Sequence, residues 1–215
     1  MSDENLPGGY ASPACMAAEL AARTSGDAPG DAEWRRETRA ALIAARGAMT
    51  PEARAGAETR IAARLDRLLD QRFGGARGLT IAGYWPIRGE VDLRGWMARC
   101  AARGIAIALP VVAKKDAPLV FRPWSPNAEM KEGLWKIPEP ATDAVVTPQI
   151  VLAPLVGWDQ SRFRMGYGGG FYDRTLAAMR PRPYAIGIGH EAARLDSIRP
   201  QPHDEALDLV VTEAE

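Results

Sequence analysis

Ile61, Leu65, Leu68 and Leu69 recur at the three- and four-residue spacing that lines up side chains on one face of a helix. Thr50-Pro51-Glu52 supplies the start of that helix: a threonine cap, a proline at the first helical position and an acid in the first turn. A preceding helix is expected over residues 32–46, with Asp31 as its cap. Both helices carry many arginines, among them Arg35, Arg36, Arg39 and Arg46, most of which read as a solvated face. Residues 79–84 form a short apolar run without helical spacing and predict a buried strand. Residues 92–102 return to a helical pattern, closed by Gly104. Further strands are expected at 105–110, 119–122, 150–153, 184–189 and 207–212, and a helix at 175–179. Strands alternating with helices predict an α/β fold with a mostly parallel sheet covered by helices. In such sheets ligands collect beyond the carboxyl ends of the strands.

The segment from Arg164 to Arg174 follows the strand at 150–153 and breaks both periods. Four glycines, Gly166, Gly168, Gly169 and Gly170, fall within five residues, and Tyr172-Asp173-Arg174 then opens the next helix. Glycine lets backbone N–H groups approach a ligand closely, and a helix start adds unpaired N–H groups and the positive end of its dipole. That combination suits phosphate. Arg164 and Arg174 are candidates for phosphate oxygens, and Asp173 for a metal ion. The loop is neither a P-loop, since no Gly-Lys-Ser/Thr closes it, nor a dinucleotide fingerprint, since Phe171 stands at the last position. A tight connection with an acid in the first helical turn is the alternative for these residues.

Residues 1–30 lack either period and contain Pro7-Gly8-Gly9, Ser12-Pro13 and the run from Thr24 to Gly30. They read as a disordered extension, or one with a short helix over 15–23, ahead of a domain at 31–215. Hydrophobic residues make up 47% of the 215, enough for one core. Lys+Arg and Asp+Glu are both 27, so neither nucleic acid nor an acidic membrane is expected as a partner. The apolar stretches near 105–112 and 150–158 are broken by Pro110 and Pro154 and are too short to span a bilayer. No basic segment followed by an apolar run marks a signal peptide. Cys15 and Cys100 are the two cysteines and predict reduced thiols and a cytoplasmic protein. A monomer is the simplest state. His190 and His203, the two histidines, form no metal spacing and are set aside as non-catalytic.

The run from Ala153 to Asp159 together with the run from Arg164 to Arg174 resembles 5-formyltetrahydrofolate cyclo-ligase, the methenyltetrahydrofolate synthetase family. The likeness extends from about residue 33 to 213: Tyr84-Trp85-Pro86 with Glu90-Val91-Asp92, Leu134-Trp135 with Ile137-Pro138-Glu139-Pro140, His203-Asp204 and Val211-Thr212-Glu213 follow in the family's order. The resemblance implies a three-layer α/β/α sandwich of the NagB/RpiA/CoA transferase-like kind. It implies closure of 5-formyltetrahydrofolate, with or without a polyglutamate tail, to 5,10-methenyltetrahydrofolate, with ATP as co-substrate and Mg2+ as cofactor. By the same resemblance Arg164, Tyr172 and Asp173 are catalytic. Arg35, Arg39 and the loop Arg164, Met165, Gly166, Tyr167, Gly168, Gly169, Gly170, Phe171 and Tyr172 bind ATP. Asp173 and Asp204 hold the metal, and Trp85, Glu90, Trp135 and Tyr167 meet the folate.

Each of these residues also has a plainer reading. Glu90 after Gly89 suits an exposed turn, Trp135 near two prolines suits core packing, and Asp204 suits a cap after Pro202. The chain departs from the family at three positions: Arg35 stands for lysine, Arg162 for glycine, and Lys136 for a small or amide residue. Two other functions stay open at this level. One is a paralogue that uses Mg-ATP on another, thiamine-related metabolite; the other is a non-catalytic folate- or nucleotide-binding protein.

Overall fold

The computed structural model describes residues 30–214. The N-terminal extension, with its expected helix and Cys15, lies outside them. Helix α1 (Asp31–Gly47) begins one residue before the expected start, and its cap is Gly30 in a left-handed conformation, φ 92°. Asp31 does not cap, because its carboxylate is drawn to Arg199 at 3.0 Å and to Gln201 at 3.3 Å. Helix α2 (Pro51–Phe73) starts as predicted: Thr50 Oγ1 accepts from Ala53 N, and Pro51 occupies the first position. Helix α3 (Arg94–Ala102) starts two residues late, since the Asp92 carboxylate folds back to accept the Arg94 N–H. Helix α4 is Phe171–Ala178.

The strands are β1 (Thr80–Ala82), β2 (Ala106–Val111), β3 (Val120–Trp124), β4 (Met130–Glu132), β5 (Pro138–Pro140), β6 (Ile150–Pro154), β7 (Gly157–Asp159), β8 (Arg164–Met165), β9 (Tyr184–Ile188), β10 (Arg194–Leu195) and β11 (Leu209–Val211). The six predicted strands form one sheet in the order β11-β9-β6-β1-β2-β3. Every neighbouring pair in it is parallel except β2 with β3. Two small sheets, β10-β7-β8 and β4-β5, were not expected.

Side chains alternate across a strand, and here the alternation separates large from small. Ile81, Ile107, Leu109, Ile150, Leu152, Ile186 and Ile188 face one way and pack with Ile61, Leu65 and Leu69 of α2 and Trp96, Met97 and Cys100 of α3. Ala82, Ala108, Val151, Ala153 and Ala185 face the other way, under Leu176 and Tyr172 of α4. The result is a sheet buried on both faces, as parallel pairing requires. The small-residue face lets the start of α4 lie close over the carboxyl ends of β1 and β6.

Candidate active site

A cavity of about 530 Å³ opens at those carboxyl ends. Its wall includes the predicted residues Arg35, Arg39, Trp85, Glu90, Trp135, Arg164, Gly166, Tyr167, Gly168, Gly169, Gly170, Phe171, Tyr172, Asp173 and Asp204. Met165 is the exception. It is 0% exposed, because in the two-residue β8 its neighbour Arg164 faces the site and Met165 points the opposite way into the core. Lys136 and Arg174 are not on the wall either. Arg174 braces the loop instead, its Nη2 donating to Gly169 O at 2.6 Å.

The phosphate-suited half is built from the loop between β8 and α4. Gly168 (φ 94°) and Gly170 (φ 61°) take left-handed conformations that residues with a Cβ adopt at a cost, and Gly170 is the residue before α4. The first N–H groups of α4 have no partner within the helix. Arg39 Nε donates to Gly166 O at 2.7 Å, so α1 fixes the loop from its other side. Arg164 is buried; its Nη2 lies 3.1 Å from Asp173 Oδ1, and its Nη1 donates to Glu205 O. Asp173 Oδ1 also accepts from Glu205 N at 3.1 Å. The neighbouring Asp204 carries Arg35 Nη2 at 2.9 Å and Gln201 N at 2.8 Å, both through Oδ2. Asp204 therefore closes the turn that begins at Gln201 rather than capping the segment after Pro202, and it pairs with α1 as well. Arg35 and Arg46 are each 7% exposed, which corrects the expectation of a solvated face.

The cavity wall also carries aromatic and apolar side chains, Tyr84, Trp85, Leu134, Trp135 and Ile137, and the carboxyl of Glu90. Glu90 is not an exposed turn acid: it is 7% exposed, and its Oε2 accepts from Ile87 N at 2.9 Å. Burial pushes its carboxyl from 4.5 up to about 7, against the Ile87 N–H, the charge of Arg46 and a hydrogen bond from Tyr167. Tyr167 in turn accepts from Arg46 Nη2 at 2.5 Å. Burial, then the nearby Glu90 charge, pushes Tyr172 above the ordinary phenol value. Its hydroxyl is buried and has no hydrogen-bond partner among the described residues. It is a protonated donor left without an acceptor beside the cavity.

Trp135 sits at the turn of the β4-β5 hairpin with φ 56°, and Lys136 follows at 61°. Successive non-glycine residues in this region carry strain of about 1–3 kcal/mol each, a pattern that gathers at ligand sites. The Trp135 ring meets Phe171 edge-on at 5.7 Å, so the hairpin closes over the loop. Arg162, where the family commonly has glycine, adopts φ 66°. The sequence reading missed Arg36, Tyr84, Leu134, Ile137 and His203, all on the wall. Tyr84 and His203 adjoin Trp85 and Asp204 in sequence, and that adjacency was the available signal.

Fold and cavity together define an α/β protein with a glycine-rich loop and aromatic side chains on the wall of one cavity. Residues 31–213 match the model of the 5-formyltetrahydrofolate cyclo-ligase family, and the chain belongs to that family. It is 31% identical over 140 residues to the 5-formyltetrahydrofolate cyclo-ligase of Escherichia coli K12, covering 62% of this chain and 77% of that one. To the enzyme of the same name from Mycolicibacterium smegmatis it is 30% identical over 144 residues, 63% of this chain and 74% of that one. The 5,10-methenyltetrahydrofolate synthetase of Aquifex aeolicus shares its fold with a TM-score of 0.69 at 23% identity, over 84% of this chain and 90% of that one. The Mycoplasma pneumoniae synthetase gives 0.66 at 22% identity, over 84% and 99%. Among the described residues no helix is long and apolar enough to cross a membrane.

Proposed function

We propose that the protein converts 5-formyltetrahydrofolate to 5,10-methenyltetrahydrofolate with ATP, releasing ADP and phosphate. The observation that carries this reading is one cavity lined both by the glycine loop with arginines and by aromatic rings with a buried carboxyl. The oxygen of an N-formyl group is a poor leaving group. Transfer of the terminal phosphoryl group to that oxygen makes it a good one; the second folate nitrogen then attacks the formyl carbon, and phosphate departs. No nucleophilic side chain is required. The protein aligns two substrates and stabilises charge on the phosphoryl group in flight.

In this reading the loop from Gly166 to Gly170, the first N–H groups of α4, and Arg35, Arg39 and Arg164 hold the ATP phosphates. Trp85, Trp135 and Tyr167 offer the pterin its flat surfaces. Glu90, with a carboxyl near 7, both accepts from and donates to polar atoms of the folate. Tyr172 donates to an oxygen of the reacting group. The residues also fit magnesium. Asp173 and Asp204 are hard oxygen donors on the phosphate side, and each engages its arginine through one oxygen. With two carboxylates supplied by the protein, an ion there would complete its shell with phosphate oxygens and water. Bound there, magnesium would neutralise phosphate charge.

We assign the fold to the NagB/RpiA/CoA transferase-like three-layer class, with residues 31–215 as the enzyme domain and 1–30 as an extension, in a cytoplasmic monomer. Purified protein mixed with Mg-ATP and 5-formyltetrahydrofolate should develop methenyl absorbance. ATP binding without that chromophore would sink the reading in favour of a different acceptor.

A further inference from the structure

We propose that Arg46, which does not line the cavity, is a positioning residue that locks the glycine loop to the turn carrying Glu90. The inference rests on the two-substrate reading above. Arg46 sits at the last turn of α1 and is buried. Its guanidinium meets three separate pieces of the site. Nη2 donates to the Tyr167 hydroxyl of the glycine loop at 2.5 Å, Nε to Arg88 O in the turn after β1 at 3.2 Å, and Nη1 to Leu155 O just past β6 at 3.3 Å. Only a rigid fork of donors reaches three such acceptors together, which an ammonium on a flexible stem does not. Arg46 is itself anchored, since its carbonyl accepts from Arg54 Nη2 of α2 at 3.0 Å.

Two of these contacts brace backbone, but the third is chemical. A phenol that accepts from Arg46 is left with its own proton to donate, and Tyr167 gives its hydrogen bond to Glu90. The groups facing Glu90 are Arg46 from α1, Arg88 and the Ile87 N–H from its own turn, Tyr167 from the loop, Tyr84 from the end of β1 and Tyr172 from α4. The two cations among them, Arg46 and Arg88, favour the charged carboxylate. Removing Arg46 takes away one of them and also frees Tyr167 to turn. A wrong loop position and a more strongly held Glu90 proton are then a single defect.

The test reads the Glu90 titration without turnover, as the difference in Tm between each protein and its Glu90→Gln counterpart from pH 5 to 9. In Arg46→Met the pH at which that difference levels off should rise by about one unit. It should rise less in Tyr167→Phe, and Arg46→Lys should restore part of the shift. The pH profile of KM for 5-formyltetrahydrofolate should move in parallel, with kcat/KM down at least about tenfold. Levelling off at the wild-type pH in both Arg46→Met and Tyr167→Phe overturns the proposal. If Arg46→Met does not fold, Tyr167→Phe decides alone. A wild-type protein that forms no methenyl product overturns the assigned reaction but leaves the Tm-derived titration to judge Arg46.

Discussion

A carboxyl group as enclosed as that of Glu90 is held at the expense of stability whenever it is charged. Its folded value, about 7, lies above the usual 4.5, so the unfolded chain loses this proton first as pH rises. Stability is therefore unaffected below the unfolded value, falls through the window from 4.5 to about 7, and carries the full cost above it. The shift corresponds to about 3 kcal/mol. Glu90→Gln should accordingly gain on wild type in Tm between pH 5 and 8, while KM for the folate rises and KM for ATP stays put. An effect on ATP alone would move Glu90 out of the acceptor half. Asp173→Asn keeps the shape of the side chain but weakens its bond to the buried Arg164, and we expect ATP use to fall at least about a hundredfold, far more than the accompanying loss of stability explains. Full activity in that variant would remove Asp173 from the metal assignment. Residue types pointed to Asp173 and the glycines because phosphate chemistry demands them locally. Arg46 was not legible in this way. On a helix an arginine looks the same whether it meets water or three carbonyl and hydroxyl oxygens from distant segments.

At the scale of elements, the apolar runs of the sheet strands were readable because a strand buried on both faces is apolar throughout. The strands of β4, β5, β7, β8 and β10 were not, since two or three residues are too few to show a period. Two helix starts moved by one or two residues because an aspartate is engaged elsewhere: the Asp31 carboxylate serves Arg199, and that of Asp92 bonds the N–H two residues on. The separation of large and small residues on the two sheet faces matters most for the site. Ala153 packs with Leu176 of α4. Ala153→Leu should overfill that gap at about 1–3 kcal/mol in chemical denaturation and should push the start of α4 outward. We expect KM for ATP to rise several-fold more than KM for the folate. Equal changes in both would mean that α4 does not set the loop.

In the whole molecule, the beginning and end of the described chain meet at the cavity. Arg35 reaches Asp204 at 2.9 Å with both side chains buried, Asp31 reaches Arg199, and the Arg199 guanidinium covers the Trp34 ring at 4.2 Å. Breaking one partner of a buried pair costs about 3–5 kcal/mol, because the other charge stays behind uncompensated. The amino-acid sequence alone determined the α/β class, the parallel sheet, the glycine loop at a helix start and the ordered motifs of the family, because these depend on local periodicity and residue chemistry. Only the tertiary structure decided that Met165 is core, that Arg174 donates to the Gly169 carbonyl, and that Arg35 and Arg46 are buried. Those outcomes depend on which distant segments come within hydrogen-bond distance, and burial and pairing between segments far apart in the chain leave no local pattern to read.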